Sequence, residues 1–149
     1  MAQSHLIKVK QLMSKSLFTI NLDTTLDIAL KSLNANSIHR LPVVDNEGNL
    51  KGIITDRDLR LATDSPFLPE NNEDRLEKLK LHKVSSIMKQ NPVTVEDYSP
   101  VVEAAKLMRV TNVGGLPVLD KKGRLIGMVT RSDLLDLLIK VLEPIPPQS

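Results

Sequence analysis

The chain has 149 residues and a formal net charge of +2, with 41% hydrophobic and 26% charged residues, a composition that fits a soluble globular protein. It contains no cysteine, which excludes disulfides, zinc–thiolate sites and thiol catalysis. Phe18, Phe67 and Tyr98 are its only aromatic residues, too few for a general single-strand nucleic-acid binder, and no apolar run approaches a membrane span or a signal peptide. The expected setting is cytoplasmic, with no membrane partner and with nucleic acid disfavoured as a partner.

Taken in order, Leu6, Val9 and Met13 with lysines between them predict a short amphipathic lead-in helix. Leu17–Leu22 reads as a strand. Thr24-x-x-Asp27 signals a helix start, and Leu26, Ala29, Leu30 and Leu33 form one buried face of a helix ending near Asn36. Leu41–Val44 and Leu50–Thr55 flank Asp45-Asn46-Glu47-Gly48, which predicts a hairpin. Pro42 fits the start of an edge strand, where no N–H is needed; the alternative is an edge whose free backbone groups meet a planar ring. Thr55-x-x-Asp58 then opens a helix running to about Ala62, completing a β-α-β-β-α unit.

From Thr63 to Lys83 the pattern changes. Pro66, Pro69 and Asn71-Asn72 break regular structure, and Glu73–Leu81 predicts a polar helix with Leu76 and Leu79 on one side. After this connector the unit returns. Val84–Met88 leads in and Pro92–Val95 is the strand. Ser99 is the expected N-cap with Pro100 at the first helical position, and the last helix runs from about Arg131 to Leu142, stopped by Pro144, Pro146 and Pro147.

Pro42 and Pro117, Gly48 and Gly123, and Asp58 and Asp133 each stand 75 positions apart, with no gap between copies. Lys8-Val9, Met13, Thr19-Ile20 and Ala29 repeat at the same offset as Lys83-Val84, Met88, Thr94-Val95 and Ala104. The expected organisation is repeat 1 with its lead-in over 1–62, a connector over 63–83, repeat 2 over 84–142 and a tail over 143–149. Units of roughly seventy residues bury little surface alone, so the two are expected to share a core.

Thr55-x-x-Asp58 and Thr130-x-x-Asp133 are the sharpest polar features. They read as helix capping boxes, or as carboxylates beside a helix N-terminus that accept hydrogen bonds from a ribose diol. A capping box prefers Glu or Gln at its last position, and both copies use Asp. Gly52 and Gly127 admit either a ligand or a neighbouring backbone. His39 and Arg40 are a solvated surface pair or, with Arg57, a phosphate-binding patch. The second copy places Gly114-Gly115 and Ser132 at those positions, a roomier and less positive site that Arg131 partly offsets. His5, His39 and His82 have no partner at a catalytic spacing, and neither a glycine-rich phosphate loop nor a metal-ligand spacing is present, so no enzyme, metal site or cofactor is expected.

The repeated L-P-V-V/L-D-x-x-G-x-L-x-G-h-h-T-x-x-D-L pattern resembles the cystathionine-β-synthase (CBS) domain in its tandem form, the Bateman module. The resemblance covers about Val9 to Leu138. It implies an α+β fold of two β-α-β-β-α units packed sheet to sheet about a pseudo-two-fold axis, with two clefts that bind AMP, ADP, ATP or S-adenosylmethionine. On that resemblance Thr55, Asp58, Thr130 and Asp133 hold ribose, and Thr19 and Thr94 correspond to the family's early threonine. Ile38, His39, Arg40, Leu41 and Pro42, with Val113, Gly114, Gly115, Leu116 and Pro117, flank adenine. His39-Arg40-Leu41-Pro42-Val43 is similar to phosphate-contacting segments in the gamma subunit of AMP-activated protein kinase, and Gly114-Gly115 departs from it. The implied function is a regulatory adenine-nucleotide and energy sensor, a homodimer acting in trans on a separate protein. The alternatives are a ligand-independent dimerisation or docking module using the lead-in helix and Leu134–Leu142, and nucleic-acid binding through the basic excess.

Overall fold

The computed structural model describes residues 7–63 and 72–144. The fold is α+β, and the chain divides into two compact units, Phe18–Pro92 and, together with Met1–Leu17, Val93–Ser149.

The first unit begins with β1 (Ile20–Asn21) and α2 (Leu26–Ala35), α1 (Val9–Leu12) belonging to the other unit. Helix α2 starts one residue later than the expected Thr24 box. Thr25 is the N-cap without a side-chain capping bond, and its hydroxyl instead donates to the buried Asp27 carboxylate. The hairpin forms from β2 (Arg40–Val44) and β3 (Leu50–Thr55), with Leu41 opposite Ile54 and Val43 opposite Gly52. Its turn needs a left-handed residue, which Gly48 supplies at φ +83°. Helix α3 (Asp56–Thr63) follows directly, then α4 (Asn72–Lys80), a 3₁₀ turn over Val84–Ser86 and β4 (Lys89–Gln90). The sheet order is β1-β2-β3-β4. Leu26, Leu33, Leu41, Val43, Ile54 and Leu59 form the core, which Leu79 of α4 and Val84 also enter.

The second unit repeats this with β5 (Val95–Glu96), α5 (Val101–Thr111), β6 (Gly115–Leu119), β7 (Leu125–Thr130) and α6 (Arg131–Leu142). Its sheet order is β5-β6-β7, and its core holds Val95, Ala104, Met108, Leu116, Val118 and Val129. Pro100, rather than Ser99, is the N-cap of α5; at ψ 143° its backbone is still outside the helix.

Three expectations change. Pro42 and Pro117 do not begin edge strands, because β2 and β6 each lie between two neighbours. The prolines are tolerated because β1 pairing begins at Ile20 opposite Val43 and β5 pairing at Val95 opposite Val118, one residue beyond each proline. The predicted strands Leu17–Leu22 and Pro92–Val95 contract to two residues each. The lead-in segments do not pack on their own repeats. Helix α1 (Val9–Leu12) joins the second unit, where Val9 is fully buried, its N–H donates to the Ser99 carbonyl at 2.9 Å, and Ser14 bridges Met128. The lead-in of repeat 2 reciprocates in the first unit. The Val84 N–H donates to the Thr24 carbonyl at 2.7 Å, and β4 pairs with β3 through Gly52–Gln90 and Ile53–Lys89. Pro66, Pro69, Asn71, Pro146, Pro147 and the start of the lead-in at Leu6 lie outside the described residues.

Candidate functional site

In each unit the hairpin strands deliver their ends to the mouth of the helix that follows. Arg40, the first residue of β2, is the register partner of Thr55, the last of β3, and the Asp56 N–H donates to the His39 carbonyl at 2.9 Å. Gly115 pairs with Thr130 in the same way, and the Arg131 N–H donates to the Gly114 carbonyl at 3.0 Å. His39, Arg40, Thr55 and Asp58 therefore meet at one end of the first sheet, and Gly114, Gly115, Thr130 and Asp133 at one end of the second.

Both Thr-x-x-Asp sequences form complete capping boxes. The Thr55 N–H donates to Asp58 Oδ2 at 2.9 Å, and the Asp58 N–H to Thr55 Oγ1 at 3.1 Å. The Thr130 N–H donates to Asp133 Oδ2 at 2.8 Å, the Asp133 N–H to Thr130 Oγ1 at 3.4 Å, and the Thr130 hydroxyl to Asp133 Oδ2 at 3.1 Å. The capping reading is thus realised in both copies. It uses one carboxylate oxygen only. Oδ1 of Asp58 and of Asp133 accepts no hydrogen bond among the described residues, and both side chains are only half-buried. A carboxylate carries about four acceptor positions, so the cap and a bound diol do not compete for the same oxygen.

The cationic groups are arranged differently in the two copies. His39 is exposed and its Nδ1 lies 3.0 Å from Asp56 Oδ2. Partial burial pushes the Asp56 carboxyl up, but the His39 hydrogen bond, the Arg57 N–H and the charges of His39 and Arg60 outweigh it and hold the group below its ordinary value. Arg57 stands exposed in the first turn of α3. In the second copy the Arg131 guanidinium donates to Asn112 Oδ1 at 3.3 Å, which turns it toward the left-handed C-cap of α5. Asp56 and Asn112 are missing from the residues singled out by sequence; extending the hairpin register one pair beyond Arg40–Thr55 would have placed His39 beside Asp56.

The other singled-out residues separate into groups. Leu41, Leu116, Pro42 and Pro117 are buried in the sheets, Ile38 and Val113 pack partly against the two cores, and Thr19 is exposed just before β1. Thr94 lines a cavity with Val95, Glu103, Leu107 and Asp120, which neither Thr130 nor Asp133 lines. Gly52 and Gly127 are explained by neighbouring backbone. A Cβ on Gly52 would stand 2.7 Å from the Lys89 carbonyl oxygen, and one on Gly127 2.8 Å from that of Ser14. Among the described residues no group of three or more His, Cys, Asp or Glu could hold a metal ion, and no helix is long and apolar enough to cross a membrane.

A β-α-β-β-α unit present twice, each copy closing its hairpin with a Thr-Asp box at a helix mouth, defines a duplicated α+β module. The family model of the CBS domain matches residues 9–64 and again 84–140, and the chain belongs to the CBS domain family as a CBS pair. It is 94% identical over 143 residues to a CBS domain-containing protein of Dictyostelium discoideum, covering 96% of this chain and 99% of that protein. Some other curated relatives match over at least 85% of this chain, but over only 23% of their own length. Among solved structures, the crystal structure of CBSX2 in complex with AMP superposes with a TM-score of 0.74 at 29% identity, covering 91% of this chain and 98% of that one. The CBS domain pair of protein MJ0100 in complex with 5′-methylthioadenosine and S-adenosyl-L-methionine superposes with a TM-score of 0.73 at 32% identity, covering 89% and 99%.

Proposed function

We propose that this chain is a regulatory, non-enzymatic sensor of adenosine compounds. Each repeat presents its Thr-Asp box to the ribose of AMP, ADP, ATP or S-adenosylmethionine. The free Oδ1 of Asp58 and of Asp133 carries this reading, since each is an anionic acceptor beside helix N–H groups with no protein partner among the described residues. The ligands held by CBSX2 and by the MJ0100 pair support the adenosine class. In the first repeat, Arg40 and Arg57 supply the positive groups that a phosphate needs, and the exposed His39 ring stands beside them as a further hydrogen-bonding group. In the second, Gly114 and Gly115 leave room and Arg131 is drawn toward Asn112. Binding would act by favouring one arrangement of the chain over another, for a partner protein in the cytoplasm to read.

Calorimetry with the four ligands tests this. Asp58→Ala and Asp133→Ala are each expected to weaken binding by roughly tenfold or more, the loss of a charge-assisted hydrogen bond of about 1.5–3 kcal/mol. Unfolding of the ligand-free variants is measured in parallel, because each also loses a cap. No heat from any of the four at millimolar concentration overturns the reading.

One observation favours a second reading, a homodimerisation or docking module. Helix α6 buries no residue, and Leu135, Leu138, Ile139, Val141 and Leu142 are between 50% and 70% exposed. Light scattering of the wild type and of Leu138→Asp tests it. A dimer that Leu138→Asp dissociates and that persists in Asp58→Ala/Asp133→Ala supports ligand-independent association; a monomeric wild type removes homodimerisation.

A further inference from the structure

We propose that the second repeat carries a separate binding site for a small aliphatic zwitterion of the amino-acid class, in the cavity between α5, β5 and the β6–β7 turn. The cavity measures about 650 Å³, within the range of roughly 300–1,000 Å³ typical of small-molecule sites. Val95, Leu107, Val110 and Leu119 give it an apolar wall. At the 75-residue offset the first repeat has Ser32 and Ala35 in place of Leu107 and Val110. It also has Asn21 and Asn46 in place of Glu96 and Lys121, and the Asn21 amide donates to Asn46 Oδ1 at 2.8 Å, bridging the corresponding strand and turn. In the second repeat that bridge is absent. Lys121 instead sits with Nζ 5.5 Å from the centroid of the Tyr98 ring.

The polar groups around the cavity divide into engaged and unengaged. Asp120 accepts from the Lys122 and Arg124 N–H groups at 2.9 Å each and from Arg124 Nε at 2.8 Å. Glu96 faces the Tyr98 hydroxyl and pushes that phenol up. Glu103 and Lys106 remain, exposed and one helical turn apart on α5, their side chains in no ion pair or hydrogen bond among the described residues. Residues at i and i+3 hold their Cβ atoms about 5–6 Å apart, a spacing that lets Lys106 take the carboxylate and Glu103 the ammonium of one small molecule while its side chain lies on Leu107 and Leu119. A simple anion would face Glu96, Glu103 and Asp120, and a simple cation would face Lys106 and Lys121. A ligand with both charges gives Glu103 and Lys106 each an opposite partner.

Amide chemical shifts of the full chain, titrated with L-leucine, 4-methylpentanoate (no amine) and isopentylamine (no carboxylate), test the assignment. The expected result is that leucine moves the amides of Val95, Leu107 and Leu119, and binds roughly tenfold or more tightly than either truncated probe. Glu103→Ala and Lys106→Ala, at exposed positions outside the Thr-Asp boxes, should each abolish that preference. Three results overturn it: unmoved cavity amides at about 20 mM leucine (a Kd far above the millimolar range), equal binding of all three probes, or a preference for leucine that survives the double substitution. Because Asp58 and Asp133 take no part, failure here leaves the adenosine reading standing, and the converse holds.

Discussion

Gly52 and Gly127 show how much a single missing carbon can hold in place. Each sits in a strand where the incoming lead-in segment places a carbonyl oxygen and a methionine sulfur within 3 Å of where a Cβ would be. The sulfur can swing aside, but the backbone oxygen belongs to the pairing that anchors the segment. Gly127→Ala and Gly52→Ala should each cost about 1–3 kcal/mol, the usual penalty of overpacking, read as a lower midpoint in urea unfolding. An unchanged midpoint would mean that the lead-in yields freely. The hairpin turns are pH-sensitive for a different reason. The Asn49 N–H, against some burial, lowers the Asp45 carboxyl below its ordinary value, and the Arg124 N–H does the same for Asp120. A depressed folded-state pKa contributes stability above the unfolded value, near about 4, and that contribution is lost as pH falls through the folded value. Asp45→Asn should therefore be less stable than the wild type at neutral pH, with the gap narrowing below about pH 4. A gap that stays constant on acidification would show that the turn carboxylate has no such role.

At the scale of elements, the reciprocal exchange of lead-ins is the main departure from the linear repeat. Val9 is buried with Leu116 and Val129, whereas Val84 is buried with Leu41 and Ile54. Val9→Ala removes two methyl-sized groups at about 0.8 kcal/mol each plus a cavity contribution, roughly 2 kcal/mol. Hydrogen exchange should then speed up in α5, β6 and β7 rather than in α2, β2 and β3, and Val84→Ala should give the reverse pattern. Val9→Ala loosening its own repeat's hairpin first would contradict the exchange. Helix α4 makes a related point. Read as a connector, it sends Leu79 into the first core with 1% of its surface exposed, so the segment between repeats is also a packing layer.

For the molecule as a whole, a ligand that binds only the folded chain stabilises it by mass action. At a hundred times its Kd that amounts to about 2.7 kcal/mol for one site. Adenosine ligands should thus raise the unfolding temperature in a concentration-dependent way, and Asp58→Ala/Asp133→Ala should flatten the response. A rise of the same size in the double variant would place the binding elsewhere.

The sequence by itself determined the duplication, the hairpins and their turns, the order of helices and strands apart from β4, which it did not show, and the Thr-Asp boxes that close the hairpins. These rest on local physics: alternation, helical periodicity, a left-handed glycine and a capping pair three residues apart, all contained within a few neighbours. Tertiary structure alone decided which core Val9 and Val84 enter, why Gly52 and Gly127 must lack a side chain, and that Pro42 and Pro117 sit inside a sheet. It also decided that Arg131 turns to Asn112 while His39 turns to Asp56. In each case the deciding partner lies far along the chain, and a linear pattern records that a residue is apolar, small or charged without recording what folds back to meet it.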